Sequence, residues 1–462
     1  MGLPTPVAKQ RDVVQLATRG HQVVLGTAGS GKTTMAILRA AYLSHPGLPG
    51  GGRTLLLTFN KPLVQYIQAL AAPELARVQV ENYHLFARGY LNSRGKMNGS
   101  SILTGRPREE IVTDAVEEVR QANGTSPLFS RPLPFFVEEL KWIAAHGVRT
   151  RGEYQDATRV GRAEARLEKA DRPLMWQVRE AYLRRRQERG RSYDLDDLAT
   201  AVATEFHADA SPRRYRHIVI DEGQDLSPEM LRSLSAAIPP DGSLTFFGDV
   251  AQQIYGHRMS WRSAGLKPPR VWEFEQNYRN TAEIAALGLA ISQMPYYSGA
   301  ADMVAPETPR AEGPKPTLVS FASRGAQLAF IGEQARRFAE AGSVAVLTRT
   351  LEQMREVRDV LPGDARSLRA ARWSASANLY YGSLHSAKGM EFDAVILPFL
   401  SEAELPDPDY IDSFGPEDAS ANDGRLLYVG VTRARRALLL LTDGPASALL
   451  PSSSNLYTRL SR

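Results

Sequence analysis

The sequence predicts an α/β fold in which buried parallel strands alternate with helices. Residues 26–33 read G-T-A-G-S-G-K-T and fit the phosphate-loop pattern G-x-x-x-x-G-K-[ST] without a gap. An apolar run at 22–25 precedes this loop and a helical pattern at 34–43 follows it, which is the context that such a loop requires. Two more apolar runs, at 215–222 and 244–249, end in acidic residues, and we predict that they form further strands of the same sheet.

The phosphate loop indicates nucleoside triphosphate binding. Its glycines allow backbone N–H groups to surround the β-phosphate, and the N-terminus of the following helix adds positive potential. We expect Lys32 to reach the β- and γ-phosphates and the Thr33 hydroxyl to hold Mg²⁺. A chance glycine-rich turn is the alternative that the flanking strand and helix argue against. The predicted loop residues are Gly26, Thr27, Ala28, Gly29, Ser30, Gly31, Lys32, Thr33 and Thr34.

Two further strands are predicted at 53–61 and 78–80. The first of them ends in Thr58 and Phe59, and ligands of parallel sheets bind at the carboxyl ends of strands. An aromatic ring exposed there could stack on a base, although a core phenylalanine fits the same pattern.

Between about residues 91 and 195 the alternation of strands and helices lapses, and amphipathic helical patterns replace it. Residues 141–191 contain 14 Lys and Arg against 7 Asp and Glu, most densely at Arg184, Arg185 and Arg186. We favour contact with a phosphate backbone as the role of this charge. A solvated helix face with i,i+4 ion pairs is the alternative.

The apolar run at 215–222 ends in Asp221 and Glu222. Next to a phosphate loop, Asp221 is expected to hold Mg²⁺ and Glu222 to deprotonate the attacking water. Acidic turns after strands are common, so the interpretation depends on the combination with Lys32 and Thr33. Gln252, past the next strand, is placed to sense the γ-phosphate, although a surface glutamine fits equally.

Composition excludes several classes of protein. The 462 residues contain no cysteine, which excludes disulfides, thiolate zinc sites and cysteine catalysis. No run of about 18 apolar residues occurs, and the N-terminus lacks the plan of a signal peptide, so we expect a cytoplasmic protein without a membrane segment. The formal net charge is +5, and the basic residues are mostly arginine, which suits phosphate recognition.

Taken in order, these segments resemble the motif series of superfamily 1A DNA helicases of the UvrD/Rep/PcrA type. The series comprises Gln10, the phosphate loop, LLLTFNK at 55–61, IVIDEGQD at 218–225, GDVAQQIYG at 248–256, EQNYRNT at 275–281, AVLTR at 345–349, SLHSAKGMEF at 383–392 and RLLYVGVTRA at 425–434. The resemblance runs from about residue 10 to residue 441.

The resemblance implies two RecA-like parallel-sheet motor domains with ATP between them. The first motor domain, 1A, is expected at 1–86 and 196–270, with a helical basic insertion, 1B, at 87–195, and the second motor domain, 2A, at 271–462. Only 35 residues separate Arg349 from His385, where larger relatives insert an accessory domain called 2B. We therefore expect no 2B domain.

The resemblance also assigns site residues. For ATP, Gln10 would recognise adenine, Tyr278 would stack on it and Glu391 would contact the ribose. Arg279 and Arg433 would act as arginine fingers on the γ-phosphate, and Gln252 would relay its state towards DNA. The implied DNA-binding residues are Thr58, Phe59, Asn60, His84, Tyr255, His257, Arg349 and His385. His257 stands where the family usually has tryptophan.

We therefore expect a monomeric, ATP- and Mg²⁺-dependent translocase or helicase that acts on single-stranded DNA and its junctions with duplex, with 3′→5′ polarity, in repair, replication or recombination. One alternative is a motor or regulatory subunit of a larger complex, for example with a nuclease in phage defence. An RNA helicase is another. The segment 401–423 has eight Asp and Glu and no Lys or Arg, and we expect it to be a solvated loop.

Overall fold

The structure is a computed structural model. The residues that it describes are 3, 5–6, 9–27, 29–159, 167–249, 261–274, 277, 279–297, 311–369 and 378–462. Five of the predicted site residues lie outside these ranges: Ala28, Gln252, Tyr255, His257 and Tyr278.

The first part of the chain alternates strands and helices, as the apolar runs predict. Its elements are α1 (Lys9–Val14), β1 (Gly20–Gly26), α2 (Lys32–Leu43), β2 (Thr54–Thr58), α3 (Lys61–Leu70), β3 (Val78–Asn82) and α4 (Tyr83–Ser93). Strands β1 and β2 are buried almost throughout, which explains why they read as continuous apolar runs rather than alternating ones.

A helical insertion follows, with a hydrophobic core of its own. It contains β4 (Ile102–Leu103), α5 (Arg106–Asn123), α6 (Leu133–His146), α7 (Arg151–Asp156), α8 (Arg172–Glu188) and β5 (Tyr193–Asp194). The short strands β4 and β5 pair in parallel where the chain leaves and re-enters the first motor domain. The predicted boundary at residue 87 cuts through α4, whose apolar face packs in the core of the first sheet, so the insertion begins after α4.

The arginines of α8 do not support the interpretation as phosphate contacts. Arg184 and Arg185 both pair with Glu118 of α5. Arg186 is buried, and its Nη1 lies 2.7 Å from Asp197 and 3.3 Å from Asp194. The arginines of α8 therefore form ion pairs that join α8 to α5 and to the end of the insertion. This arrangement is closer to the alternative of an ion-paired helix face, except that the pairs connect different elements.

The chain then completes the first sheet. It forms α9 (Leu198–Ala208), β6 (His217–Ile220), α10 (Pro228–Ala236), β7 (Ser243–Gly248) and β8 (Val271–Phe274). The strand order is β3-β2-β6-β7-β1-β8, with every neighbouring pair parallel. Because β8 pairs with β1, residues 271–274 belong to the first sheet, and the predicted start of the second domain at 271 is too early.

The second motor domain has a parallel sheet of its own. Its elements are α11 (Ala282–Ser292), β9 (Thr317–Ser320), α12 (Arg324–Ala341), β10 (Val344–Thr348), α13 (Leu351–Val360), β11 (Arg366–Ser367), β12 (Leu379–Ser383), β13 (Phe392–Leu397), α14 (Pro408–Phe414), α15 (Pro416–Thr432), β14 (Ala434–Thr442) and β15 (Thr458–Ser461). The order is β11-β12-β10-β13-β14-β9-β15, again parallel throughout. The predicted fold class of two parallel-sheet motor domains is confirmed.

The acidic segment 401–423 is not a solvated loop, contrary to the expectation. It contains α14 and the first half of α15. Pro408 and Pro416 each begin a helix, where the absent N–H of proline costs nothing. Asp423 is fully buried and accepts a hydrogen bond from Arg349 Nε at 2.7 Å. Among the helices that the structure describes, none is long and apolar enough to cross a membrane.

Candidate active site

The phosphate loop connects β1 to α2 and depends on glycine for both conformation and space. Gly29 has φ 81°, and a Cβ atom there would lie 2.1 Å from Asn277 Oδ1. Lys32 is buried, and its ammonium donates to the carbonyls of Gly26 and Thr27 at 2.8 and 2.6 Å. The lysine is thus already directed into the loop that the sequence predicts to receive phosphate.

Two acidic residues follow β6, beside Lys32. Glu222 has φ 53°, a left-handed conformation that costs on the order of 1 kcal/mol in a non-glycine residue. Its Oε2 accepts a hydrogen bond of 2.5 Å from Gln224, whose own Oε1 accepts from the Asp249 N–H at 2.9 Å. Asp249 Oδ2 in turn lies 3.6 Å from Lys32 Nζ. A continuous polar network therefore holds Glu222 in its strained position.

The environments of the two carboxylates push their pKa values apart. Burial and the neighbouring Glu222 raise the pKa of Asp221 to about 7. Burial also acts to raise the pKa of Glu222, but the cations of Lys388, Arg433 and Lys32 outweigh it and lower that pKa. Glu222 is therefore ionised at neutral pH, as a residue that accepts a proton must be.

Asp221 and Thr33 fit a magnesium site. Both carboxylate oxygens of Asp221 are buried and lack a hydrogen-bond partner among the described residues. The Thr33 side chain lies close enough to lower the pKa of Asp221. In the described part of the chain, no group of three or more His, Asp or Glu side chains is arranged so that it could hold a metal ion. Mg²⁺ suits such a set, because it takes one or two protein oxygens and completes its shell with phosphate and water.

Two arginines approach these carboxylates from beyond the first sheet. Arg279 Nη2 lies 2.5 Å from Glu391 Oε1, so two residues assigned to ATP by resemblance are ion-paired. Arg433 is fully buried, and its guanidinium donates to the carbonyls of Val429 and Met390 at 3.1 and 3.3 Å. Burial and the neighbouring Arg279 lower the pKa of Arg433 to about 10. The two guanidinium groups therefore lie close to each other and to Glu222.

Gln10 lies against the phosphate loop from the N-terminal side. Its side-chain amide donates to the Ser30 carbonyl at 3.2 Å, and a Cβ atom on Gly31 would come within 3.2 Å of the same nitrogen. The structure thus brings together Gln10, Lys32, Asp221, Glu222 and Arg433, which are far apart in the sequence.

A cavity of about 220 Å³ lies between the two motor domains. Its lining residues are Phe59, Asn60, Pro62, Asp225, Arg369, Ser383, His385, Ser386 and Lys388. Three predicted DNA-binding residues are among them: Phe59, Asn60 and His385. Burial, with Arg349 and Lys388 nearby, lowers the pKa of His385 to about 4, so its imidazole is neutral at pH 7. The lining combines the ring of Phe59 and the neutral imidazole of His385 with the cation of Arg369 and the ion pair of Lys388 and Asp225, so it offers a surface on which a base can stack beside a positive charge.

Three further predicted DNA-binding residues, His84, Thr58 and Arg349, are described, whereas Tyr255 and His257 lie outside the described residues. The His84 ring centroid is 6.3 Å from that of Phe59. Thr58 is fully buried at the end of β2. Arg349 is engaged by Asp423 and by Asp407 at 3.3 Å. A phosphate contact by Arg349 would have to replace those two carboxylates.

The sequence analysis missed one ion pair that joins the two domains. Lys388 Nζ pairs with Asp225 Oδ1, both side chains are almost fully buried, and both line the cavity. Lys388 is also a main cation that lowers the pKa of Glu222. Each residue lies in a quoted motif, but a contact between distant motifs leaves no sign in local spacing. The pair connects the cavity to the carboxylate that is placed to act as the base.

Comparisons with known proteins find similarity in both motor domains. The family described as UvrD/REP helicase N-terminal domain matches residues 7–267, and the UvrD-like helicase C-terminal domain matches residues 377–443. The chain is 24% identical to the ATP-dependent DNA helicase UvrD2 of Mycobacterium tuberculosis, over 94% of this chain and 78% of UvrD2. It is 25% identical to UvrD1 of that organism, over 73% of this chain and 46% of UvrD1. It is 24% identical to PcrA of Leuconostoc citreum, over 59% of this chain and 35% of PcrA.

Proposed function

The chain belongs to the UvrD/Rep helicase family, and from this we propose that it is an ATP-driven motor that moves 3′→5′ along single-stranded DNA. The observation that carries the proposal is the juxtaposition of two sites. A cavity lined by both motor domains lies next to Glu222 and is joined to it electrostatically through Lys388. A movement of Lys388 in the cavity lining can thereby alter the pKa of Glu222, the residue that activates water in this proposal.

We assign each step of hydrolysis to a residue of this chain. Lys32 and the phosphate loop hold the triphosphate, and Gln10 contacts adenine. Glu222 accepts a proton from the attacking water. Asp221 and Thr33 would hold Mg²⁺ together with phosphate oxygens, and the ion would supply positive charge against the transferred phosphoryl group. Arg433 adds positive charge from the second motor domain, so hydrolysis depends on closure of the cleft.

In this proposal, movement along DNA depends on the cavity that both motor domains line. Phe59 comes from the first motor domain and His385 from the second, so a change in the distance between the domains moves one relative to the other. A base stacked on an aromatic ring is held by roughly 1–3 kcal/mol, which is enough to grip and release alternately. Because stacking is insensitive to base identity, we expect no sequence preference.

We expect single-stranded DNA to stimulate ATP turnover strongly and RNA of the same sequence to stimulate it much less. A coupled ATPase assay with matched oligonucleotides measures both. For polarity, the protein should displace streptavidin from the 5′ end of biotinylated single-stranded DNA faster than from the 3′ end. Preferential clearance of the 3′ end would reverse the proposed direction, and equal stimulation by RNA would favour the RNA helicase alternative.

We expect a monomer to unwind duplex poorly although it translocates. Strand separation needs a grip on the duplex ahead of the motor, and the 35 residues between Arg349 and His385 cannot contain a 2B domain. The arginine cluster of the insertion is engaged in ion pairs within the protein. Single-turnover unwinding of a 3′-tailed duplex tests this. Weak unwinding with fast translocation would favour a motor subunit that gates a partner such as a nuclease, whereas fast monomeric unwinding would contradict the prediction.

A further inference from the structure

Arg39 is a fully buried arginine on α2, the helix that begins at the phosphate loop. No carboxylate pairs with it among the residues that the structure describes. Its Nη1 donates to the carbonyls of Val14 and Leu16 at 3.1 and 2.5 Å, and its Nη2 donates to the carbonyl of Ala17 at 2.6 Å. Burial lowers the pKa of Arg39 to about 10, so the guanidinium still carries its charge at neutral pH.

The three acceptors lie at the C-terminal end of α1 and in the turn that follows it. The last carbonyls of a helix have no partners within the helix, and a cation is favourable at that end. Helix α1 has six residues and a single buried side chain, Val13. A helix this short is not stable by itself. Its position therefore depends on contacts with the rest of the protein, among them the packing of Val13 and the hydrogen bonds from Arg39.

Helix α1 carries Gln10, and α2 carries Lys32 and Thr33. Arg39 thus links the segment predicted to contact the base to the helix predicted to hold the phosphates. The hydrogen bond from Gln10 to the Ser30 carbonyl is the matching contact at the other end of α1. If the link through Arg39 is lost, α1 can shift, and Gln10 can leave the base while the phosphate loop keeps its hold on the triphosphate.

We propose that Arg39 is a positioning residue for nucleobase selectivity, which acts by holding Gln10 beside the phosphate loop. The proposal rests on the proposed function, specifically on the contact between Gln10 and adenine. It goes beyond that function because it assigns selectivity to a residue that touches no part of the nucleotide. The energetic reason is that a charged, carboxylate-free guanidinium is costly to bury unless its donors are used, and here Nη1 and Nη2 donate to the end of α1 and to the turn after it, while Nε has no partner among the described residues.

The test compares kcat/KM for ATP and GTP in Arg39→Met, which keeps an unbranched, buried side chain and removes every donor. We expect the preference for ATP to fall about tenfold, the effect of roughly one well-placed hydrogen bond, with KM for ATP rising more than kcat falls. Gln10→Ala should lose the preference to a similar extent. The double variant should resemble Gln10→Ala alone, because the two residues act through one contact.

Arg172 offers a matched control in the insertion. It is also a buried arginine, and its Nη1 donates to the carbonyls of Tyr154, Gln155 and Ala157 at 3.1, 2.7 and 2.8 Å. These carbonyls lie at the end of α7, as the acceptors of Arg39 lie at the end of α1. Arg172→Met should lower thermal stability but keep the ATP/GTP ratio.

The outcomes separate the inference from its premise. If Gln10→Ala changes the ATP/GTP ratio and Arg39→Met does not, the positioning role of Arg39 is wrong. Additive effects in the double variant would also overturn it. If Gln10→Ala leaves the ratio unchanged, the adenine contact itself is wrong and the premise falls. If Arg39→Met does not fold, Arg39→Lys, which can reach only part of the carbonyl set, should give an intermediate ratio, and an unchanged ratio would contradict the inference.

Discussion

Glu222→Gln is expected to bind ATP and single-stranded DNA but to hydrolyse ATP about 10²- to 10⁴-fold more slowly, the usual cost of losing a positioned base. The amide keeps the size of the carboxylate, and its oxygen can still accept the hydrogen bond from Gln224. It cannot accept a proton from water. Phosphate release at saturating ATP and DNA measures kcat, and a fluorescent ATP analogue measures binding.

Lys32→Ala is the informative comparison, because the buried Lys32 ammonium is part of the phosphate loop rather than a proton acceptor. It should lose productive nucleotide binding as well as turnover. The two variants therefore separate catalysis from binding within the same site. Near-normal turnover in Glu222→Gln would remove Glu222 from the role of base. A matching loss of ATP affinity in that variant would indicate that Glu222 serves to organise the site instead.

The parts of the fold that local sequence determines were predictable. The described part of the phosphate loop, the strands predicted at 22–25 and 244–249, and the acidic pair after β6 lie where the pattern places them, whereas the strand predicted at 53–61 ends at Thr58 and Lys61 already begins α3. These features depend on neighbours in sequence: apolar runs make buried parallel strands, and glycines make the loop. Residues that are distant in the sequence could also be predicted to meet, because the motifs that carry them lie at the carboxyl ends of parallel strands.

What the sequence could not determine is which charges pair across the fold. Arg184 is predicted from the sequence to contact phosphate and Arg349 to bind DNA, yet each is ion-paired with a carboxylate from another element. The buried pair of Lys388 and Asp225 joins the two motor domains. The error at 401–423 has another origin, because prolines that start α14 and α15 resemble helix breakers when only composition is considered.

Arg433→Ala is expected to reduce kcat by about 10³-fold or more while changing ATP affinity little, since arginine fingers engage charge that develops in the transition state. The guanidinium of Arg433 is already placed by the carbonyls of Val429 and Met390, and the nearby Glu222 carboxylate partly offsets the lowering of the Arg433 pKa by burial and Arg279. It is therefore preorganised near the attacking water. Arg433→Lys should not restore kcat, because an ammonium cannot reproduce the planar fork.

Arg279→Ala should differ from Arg433→Ala in one respect. Arg279 is ion-paired with Glu391, the residue assigned to the ribose, so its removal leaves that carboxylate unpaired. We expect a large loss of kcat together with a measurable loss of ATP affinity. The exposed Arg436 on β14 provides a control, and Arg436→Ala should leave both constants near their original values. Steady-state kinetics with an independent binding measurement separates the two effects. If both finger variants lose affinity and turnover equally, the arginines bind ground-state ATP and are not fingers.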